Sequence, residues 1–190
     1  MSIPLAGMSL AELAAYVSDH LAKQGIDVVL SGGGCVSVYS DNRYQSNDLD
    51  FIERYREDRK KLAAALDMIG FKPKKRYFVH PATPFFLEFP TGPLSVGSEP
   101  VREIAELNFR TGTLRLLTPA DCIKDRLSHY FHWGDKQGLE QALIVAETFP
   151  VDVDELARWS QQEAMQDKFD SVRDRFLNTP SNNNANILAE

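Results

Sequence analysis

The chain has 190 residues, enough for one domain with its own core, and its 43% hydrophobic and 25% charged residues are those of a globular protein. A net charge of -6 argues against broad, non-specific attraction to nucleic acid while leaving room for a local basic patch. No apolar run approaches the roughly 20 residues that cross a bilayer, and residues 1–10 lack the basic start and apolar core of a signal peptide. The expected location is therefore the cytoplasm, with no membrane partner.

In chain order, Ser9, Leu10, Ala11 and Glu12 form a capping box that predicts a helix. Leu10, Leu13, Ala14, Val17 and Leu21 recur at helical spacing until Gly25 stops it. Residues 26–30 are a short apolar run and predict a buried strand. Ser31-Gly32-Gly33-Gly34-Cys35 reads as a turn leading into a short helix through Tyr39. The polar stretch 40–47 predicts a loop, and 48–52 alternates as a strand does. Residues 58–69 are helical again, with Leu62, Ala65, Leu66 and Ile69 on one face. Two aromatic strands follow at 77–79 and 85–89, and 90–100 reads as loop. Thr111-Gly112 predicts a hairpin between Leu107 and Phe109 on one side and Leu114 and Leu116 on the other.

From Thr118 the texture is helical. Thr118 as cap, Pro119 at the first helical position and Asp121 in the first turn start a helix running toward Trp133. A second helix is expected from about Asp135 to just before Pro150, and a third over about 154–176. Residues 179–190, which include three asparagines in a row, are expected to form a disordered tail. The architecture expected is α+β: a mixed sheet flanked by helices over 1–117, then a helical part over 118–178 packed on it.

The chemistry concentrates in Asp48-Leu49-Asp50-Phe51. Successive strand side chains alternate faces, so Asp48 and Asp50 share one while Leu49 and Phe51 point to the core. Two neighbouring carboxylates repel unless a cation lies between them, and an oxygen-only donor set suits magnesium or manganese. Glu88 stands alone in the apolar stretch Phe85-Phe86-Leu87-Glu88-Phe89, and a metal shared with Asp48 and Asp50 would compensate its charge. Gly32, Gly33 and Gly34 sit between a strand and a helix, where backbone N–H groups can meet phosphate oxygens. They match neither a Walker A loop nor G-x-G-x-x-G.

Other features have plainer readings. Cys35 and Cys122 are far apart without ligand-spaced partners, which predicts buried, reduced thiols. His129, His132 and Asp135 fall at helical spacing, but Tyr130, Phe131 and Trp133 crowd them into an aromatic cluster rather than a metal site. Lys72, Lys74, Lys75 and Arg76 form a basic run beside Tyr77 and Phe78. Arg54, Arg56, Arg59, Lys60 and Lys61 form another, diluted by Glu53, Glu57 and Asp58. Such runs permit an RNA acceptor and are as often a solvated face.

The order strand, Gly-Gly turn, short helix, Asp-x-Asp strand and a later acid resembles the nucleotidyltransferase superfamily related to DNA polymerase beta, in particular its compact bacterial AbiEii-type branch. The likeness continues through Thr118-Pro119-Ala120-Asp121, Ile123-Lys124 and Asp135, and covers roughly residues 26–147. Gly34 departs from it, standing where many relatives have Ser or Thr. The resemblance implies a nucleotidyltransferase-like mixed sheet and a magnesium-dependent enzyme moving NMP from an NTP to an acceptor hydroxyl. That acceptor could be tRNA-like RNA, a protein or a small molecule. It implies that Asp48, Asp50 and Glu88 hold metal and that Gly32, Gly33 and Gly34 cradle phosphates. Lys124 would reach the triphosphate, and Asp135 would support Lys124 or the acceptor. A toxin or defence role with an antitoxin partner is what that branch would add. The competing readings are a degenerate member that only binds nucleotide or a partner, and a metal-dependent phosphohydrolase, which usually needs more His ligands.

Overall fold

The computed structural model describes residues 4–55 and 58–182. It opens with α1 (Leu10–Lys23), whose capping box closes in both directions: Ser9 N donates to Glu12 Oε2 (3.0 Å) and Glu12 N to Ser9 Oγ (3.3 Å). Leu13, Ala14, Val17 and Leu21 on its inner face are fully buried. The helix ends at Gln24, and Gly25 takes the left-handed φ of +71° that a side chain would resist.

The centre is a seven-stranded mixed sheet. Its members are β1 (Val28–Ser31), β2 (Asp48–Glu53), β3 (Lys72–Lys74), β4 (Tyr77–Val79), β5 (Phe86–Glu88), β8 (Ile104–Phe109) and β9 (Gly112–Leu117), in the order β3-β4-β5-β2-β1-β9-β8. A separate hairpin pairs β6 (Ser95–Val96) with β7 (Glu99–Pro100). β2 runs antiparallel to β1 and parallel to β5, and β1 is parallel to β9. These directions bring the end of β1 and the first residues of β2 and β5 to one edge of the sheet. From that edge α2 (Gly32–Tyr39) departs, and the loop 40–47 returns the chain to β2. Arg43 ties that loop down, reaching Glu147 (2.9 Å) and the Ile144 carbonyl (2.9 Å) on α5 (Lys136–Thr148). The helix α3 (Arg59–Asp67) buries Leu62, Ala65 and Leu66, close to the predicted helix.

The C-terminal side carries α4 (Pro119–Trp133), α5, α6 (Val153–Gln162), α7 (Gln166–Asp170) and α8 (Arg173–Leu177). Thr118 caps α4 through Asp121 N (3.2 Å), with Pro119 at its start. One hydrophobic cluster runs from Leu49 and Phe51 in the sheet to Phe131, Trp159, Phe169 and Phe176 among the helices. Cys35 and Cys122 are both free and buried in it.

Four expectations differ. The third helix, expected as one piece, breaks after Gln162: Ala164 takes φ +57°, and Glu163 turns away to accept from Ser98 N (2.8 Å) and Ser98 Oγ (2.6 Å) on the β6–β7 turn. The stretch 90–100 holds that hairpin, whose two-residue strands are too short to show a period. In sequence β3 is a basic run, in which Pro73 between two exposed lysines hides a strand that survives by lying at the sheet edge. Residues 179–182, counted in the expected tail, instead pack: Asn182 accepts from Val151 N (2.9 Å) and donates to the Phe176 carbonyl (3.1 Å). Arg56, Glu57 and 183–190 lie outside the described residues.

The hairpin is clamped to the helices by charge. Lys124, only 5% exposed, donates to Glu155 Oε1 (2.8 Å) and Glu99 Oε2 (3.3 Å), while Arg158 bonds both acids. Hydrogen bonding from Arg158, and then from Lys124, holds the Glu155 carboxyl down at about 2. Lys124→Ala leaves a void beside Glu99 and Glu155, with Arg158 alone to balance the two acids. It should lower stability by about 3 kcal/mol, the low end for breaking a buried pair because Glu99 and Glu155 keep part of their hydration. The midpoint of urea unfolding reads that loss.

Candidate active site

Directly opposed residues of neighbouring strands share a face of the sheet. The register Ser31–Asp50–Glu88–Tyr77–Lys74 therefore forms a single row across five strands. Asp48, one pleat upstream, faces the same way, opposite Phe86. Leu49, Phe51 and Leu87 take the other face and are fully buried. The apolar residues thus fix the orientation of the acids. A one-residue slip would bury the carboxylates and expose the leucines.

Asp48, Asp50 and Glu88 each offer an oxygen, and these oxygens lie within 4.8 Å of one another, the one such group among the described residues. Ser46 Oγ donates to Asp48 Oδ1 at 2.5 Å, and Arg76 Nε pairs with Glu88 at 3.3 Å. Asp50 has no such help on its own strand. Burial first, then the charges of Asp48 and Glu88, push its carboxyl from an ordinary 3.8 up to about 7, with the Arg126 guanidinium pulling the other way. Three hard oxygen donors without His or Cys, one of them penalised for ionising, fit a divalent cation of the magnesium or manganese type.

The glycines serve different ends. Gly32 has φ +63°, and a Cβ there would lie 2.4 Å from Asp50 Oδ2. A side chain is thus refused twice, by backbone and by carboxylate. Ser31 does not cap α2; its hydroxyl donates to the Asp50 carbonyl instead (3.2 Å). The N–H groups opening α2 lie beside the acids, where an anion would be met by the helix dipole. Gly33 lies under the returning loop, its would-be Cβ 3.1 Å from Ser46 Oγ and 3.2 Å from the Tyr44 ring. Gly34 faces the strands, 3.2 Å from the Asp48 carbonyl and from Leu49, so it serves close helix–sheet packing.

The structure does not bring Lys124 or Asp135 to the acids. Lys124 belongs to the clamp above and lines a polar cleft of about 790 Å³ with Glu99, Asp121, Glu155 and Arg158. Asp135 caps α5, accepting from Gln137 N at 2.9 Å. The residue missed is Arg126, two positions past Lys124 and so about 200° around the helix. It is buried, held by Asp125 (2.5 and 2.9 Å) and Gln141 (3.4 Å), and it acts electrostatically on Asp50. Burial disfavours its charge, and Asp125 more than offsets that. Helical phase was the available signal: Ile123, Leu127 and Phe131 mark the inner stripe, and Lys124 and Arg126 flank it on opposite sides. His129 and His132 pack against Trp133 as an aromatic cluster, the first tilted and the second edge-on, with ring centroids 5.1 and 5.9 Å from it.

No protein-family model and no curated protein matches the sequence. Among solved structures, an antigenic nucleotidyltransferase-like protein from Paracoccidioides brasiliensis superposes with a TM-score of 0.58 at 16% identity, covering 91% of this chain and 95% of that one. Two structures of the antibiotic-resistance factor ANT(2'')-Ia score 0.48. One is in solution, at 13% identity over 85% of this chain and 91% of that one; the other is a crystal complex with adenylyl-2''-tobramycin, at 12% over 88% and 95%. The first likeness gives the fold a name: α+β, nucleotidyltransferase-like. No helix among the described residues is long and apolar enough to cross a membrane.

Two outcomes follow from the strain on Asp50. Below its ordinary 3.8, folded and unfolded chains both keep the proton. Between 3.8 and about 7 only the folded chain keeps it, so metal-free stability falls as pH rises, by on the order of 4 kcal/mol in all. In chelator at about pH 8, Asp50→Asn should therefore melt above wild type and lose the stabilisation that magnesium gives wild type; a lower Tm would remove Asp50 as the strained group. Gly32→Ala should cost at least about 1 kcal/mol from backbone alone and weaken that magnesium response by displacing the carboxylate.

Proposed function

We propose that this protein is a divalent-metal-dependent nucleotidyltransferase that moves NMP from an NTP to an acceptor hydroxyl. The observation that carries the reading is the convergence of Asp48, Asp50 and Glu88 beside the uncapped start of α2. Supporting it is the fold shared with the nucleotidyltransferase-like protein of Paracoccidioides brasiliensis.

The backbone N–H groups of Gly32 and Gly33 bind phosphate oxygens, which approach closely because Gly32 carries no side chain. Arg126 presents its planar guanidinium to the triphosphate, oriented by Asp125 and Gln141. Asp48, Asp50 and Glu88 would hold magnesium or manganese, which when bound supplies charge neutralisation on the triphosphate. The acceptor oxygen attacks the α-phosphorus as the bond to the bridging oxygen breaks. Pyrophosphate leaves with that electron pair, and the hydroxyl proton passes to the Glu88 carboxylate. Lys124 and Asp135 act at a distance in this reading, anchoring α4 and α5 on which Arg126 depends.

The finer assignments rest on motif order between Gly32 and Asp135. They are the AbiEii-type branch and a toxin role with an antitoxin partner; a cytoplasmic setting, in which NTPs are available, belongs to the same proposal on separate grounds.

Incubating the protein with magnesium, each labelled NTP, total RNA and small hydroxylated acceptors should give label transfer. Asp48→Ala and Asp50→Ala should each lower it at least about a hundredfold. Arg126→Ala should raise KM for the NTP, and Arg126→Lys should not restore it, since an ammonium cannot replace the fork. NTP bound without any transfer would recast the protein as a nucleotide-binding module.

A further inference from the structure

The sheet ends in two unlike edges. At one, β3 has three residues, all exposed, with a proline between two lysines, and such features keep an edge from pairing. At the other, β8 runs for six residues, Ile104 to Phe109, without Pro or Lys. Its Ile104, Ala105, Leu107 and Phe109 are half-buried, and Glu106 and Asn108 are exposed. β8 is bonded to β9 on one side, and no backbone hydrogen bond from any other described residue reaches 104–110. Alternate N–H and C=O groups along it face outward unmatched. We infer that this edge pairs with the same edge of a second copy of the chain, antiparallel about a two-fold axis at Asn108, joining two seven-stranded sheets into one.

The register is chosen by self-complementarity. Residues opposed across an antiparallel pair share a face of the sheet, and faces alternate along a strand. Under a two-fold axis each residue therefore meets one an even number of positions from its own. Centred on Asn108, Glu106 meets the partner's Arg110, Leu107 meets the partner's Phe109, and both pairs recur in reverse across the axis. Centred on Glu106, the acid would meet itself and Arg102 would meet Arg110. Centred on Leu107, Arg110 would meet Ile104. Only the first sets charge against opposite charge and apolar against apolar.

The groups that this register needs are free to serve it. Arg110, in the turn directly after β8, is exposed and makes no ion pair with a described residue. Glu106 is held by Arg115 Nε through Oε1 (3.0 Å), which orients the carboxylate and leaves Oε2 for a second guanidinium. At the strand end the partner's Ala105 falls opposite Thr111. Beside it lies a cavity of about 410 Å³ lined by Pro4, Ala6, Gly7 and Met8 with Arg110 and Thr111, which gives the contact apolar surface beyond the strand itself. The seam leaves the acids open. Seven strand spacings separate the two β2 strands, roughly 34 Å at about 4.8 Å each. A second copy is the occupant because the edge complements its own sequence in charge and in shape.

The test is the mass in solution, read by size exclusion with light scattering on the full chain over about 1–100 µM, the range that a modest interface populates. Wild type should approach twice the mass of one chain. Arg110→Glu and Glu106→Arg should each weaken the dimer at least about tenfold, because like charges then face each other twice. Mixing the two variants should restore a dimer, since each supplies what the other lacks, and this result requires both to be folded. Wild type remaining monomeric throughout overturns the inference and leaves the edge to a different chain. A dimer untouched by both reversals overturns it too, as another face then holds the copies together. So does a mixture that stays monomeric while each variant keeps the wild-type urea midpoint, which rules out the register at Asn108. None of these readings depends on nucleotidyl transfer.

Discussion

Three carboxylates forced together on a sheet whose other face is core are the constraint on which the rest depends. Asp48, Asp50 and Glu88 cannot separate, because Leu49, Phe51 and Leu87 pin the same two strands from beneath. Like charges at that spacing raise the free energy of the empty protein, most at Asp50, which is the most desolvated in its effect. The surroundings make sense as responses to this load. Ser46 satisfies Asp48, Arg76 balances Glu88, and Arg126 acts from α4 on Asp50. What the load leaves unbalanced is repulsion that a bound cation would relieve.

Much of this was legible from residue order. Ser9 to Glu12 and Thr118 to Asp121 announced helices through side chains that bond their own backbone, a local rule needing no tertiary knowledge. The period-two pattern of Asp48 to Phe51 gave both the strand and the shared face of its acids. Glu88 could be matched to them because a lone acid in an apolar strand needs a partner somewhere. The strand directions that bring it beside Asp50 are set by long-range pairing.

What was hidden was non-local. Lys124 and Arg126 differ by two positions, and only the packing of α4 on α6 decides which side is cleft and which is clamp. The β6–β7 hairpin is held by Trp159, Arg158 and Glu163 from more than fifty residues away, so no window of sequence around it contains the cause. The break at Ala164 has the same origin, since Glu163 is drawn to Ser98 instead of continuing a helix that its neighbours would otherwise favour. Each miss is a place where a distant side chain overrode local preference.

The edge strand β3 has a consequence of another kind. Its three residues are all exposed, none contributes to the core, and Pro73 already shows how little its composition is constrained. Surface changes of this sort typically move stability by no more than about 0.5 kcal/mol. Gly32 and Arg126, by contrast, are held in tight packing, and the acids in a register set by the core residues beneath them. Such a division separates a tightly packed acidic row from a loosely constrained edge. Rewriting a few of these edge residues would change the charge along the row that ends at Glu88 while the fold and the acids stay in place.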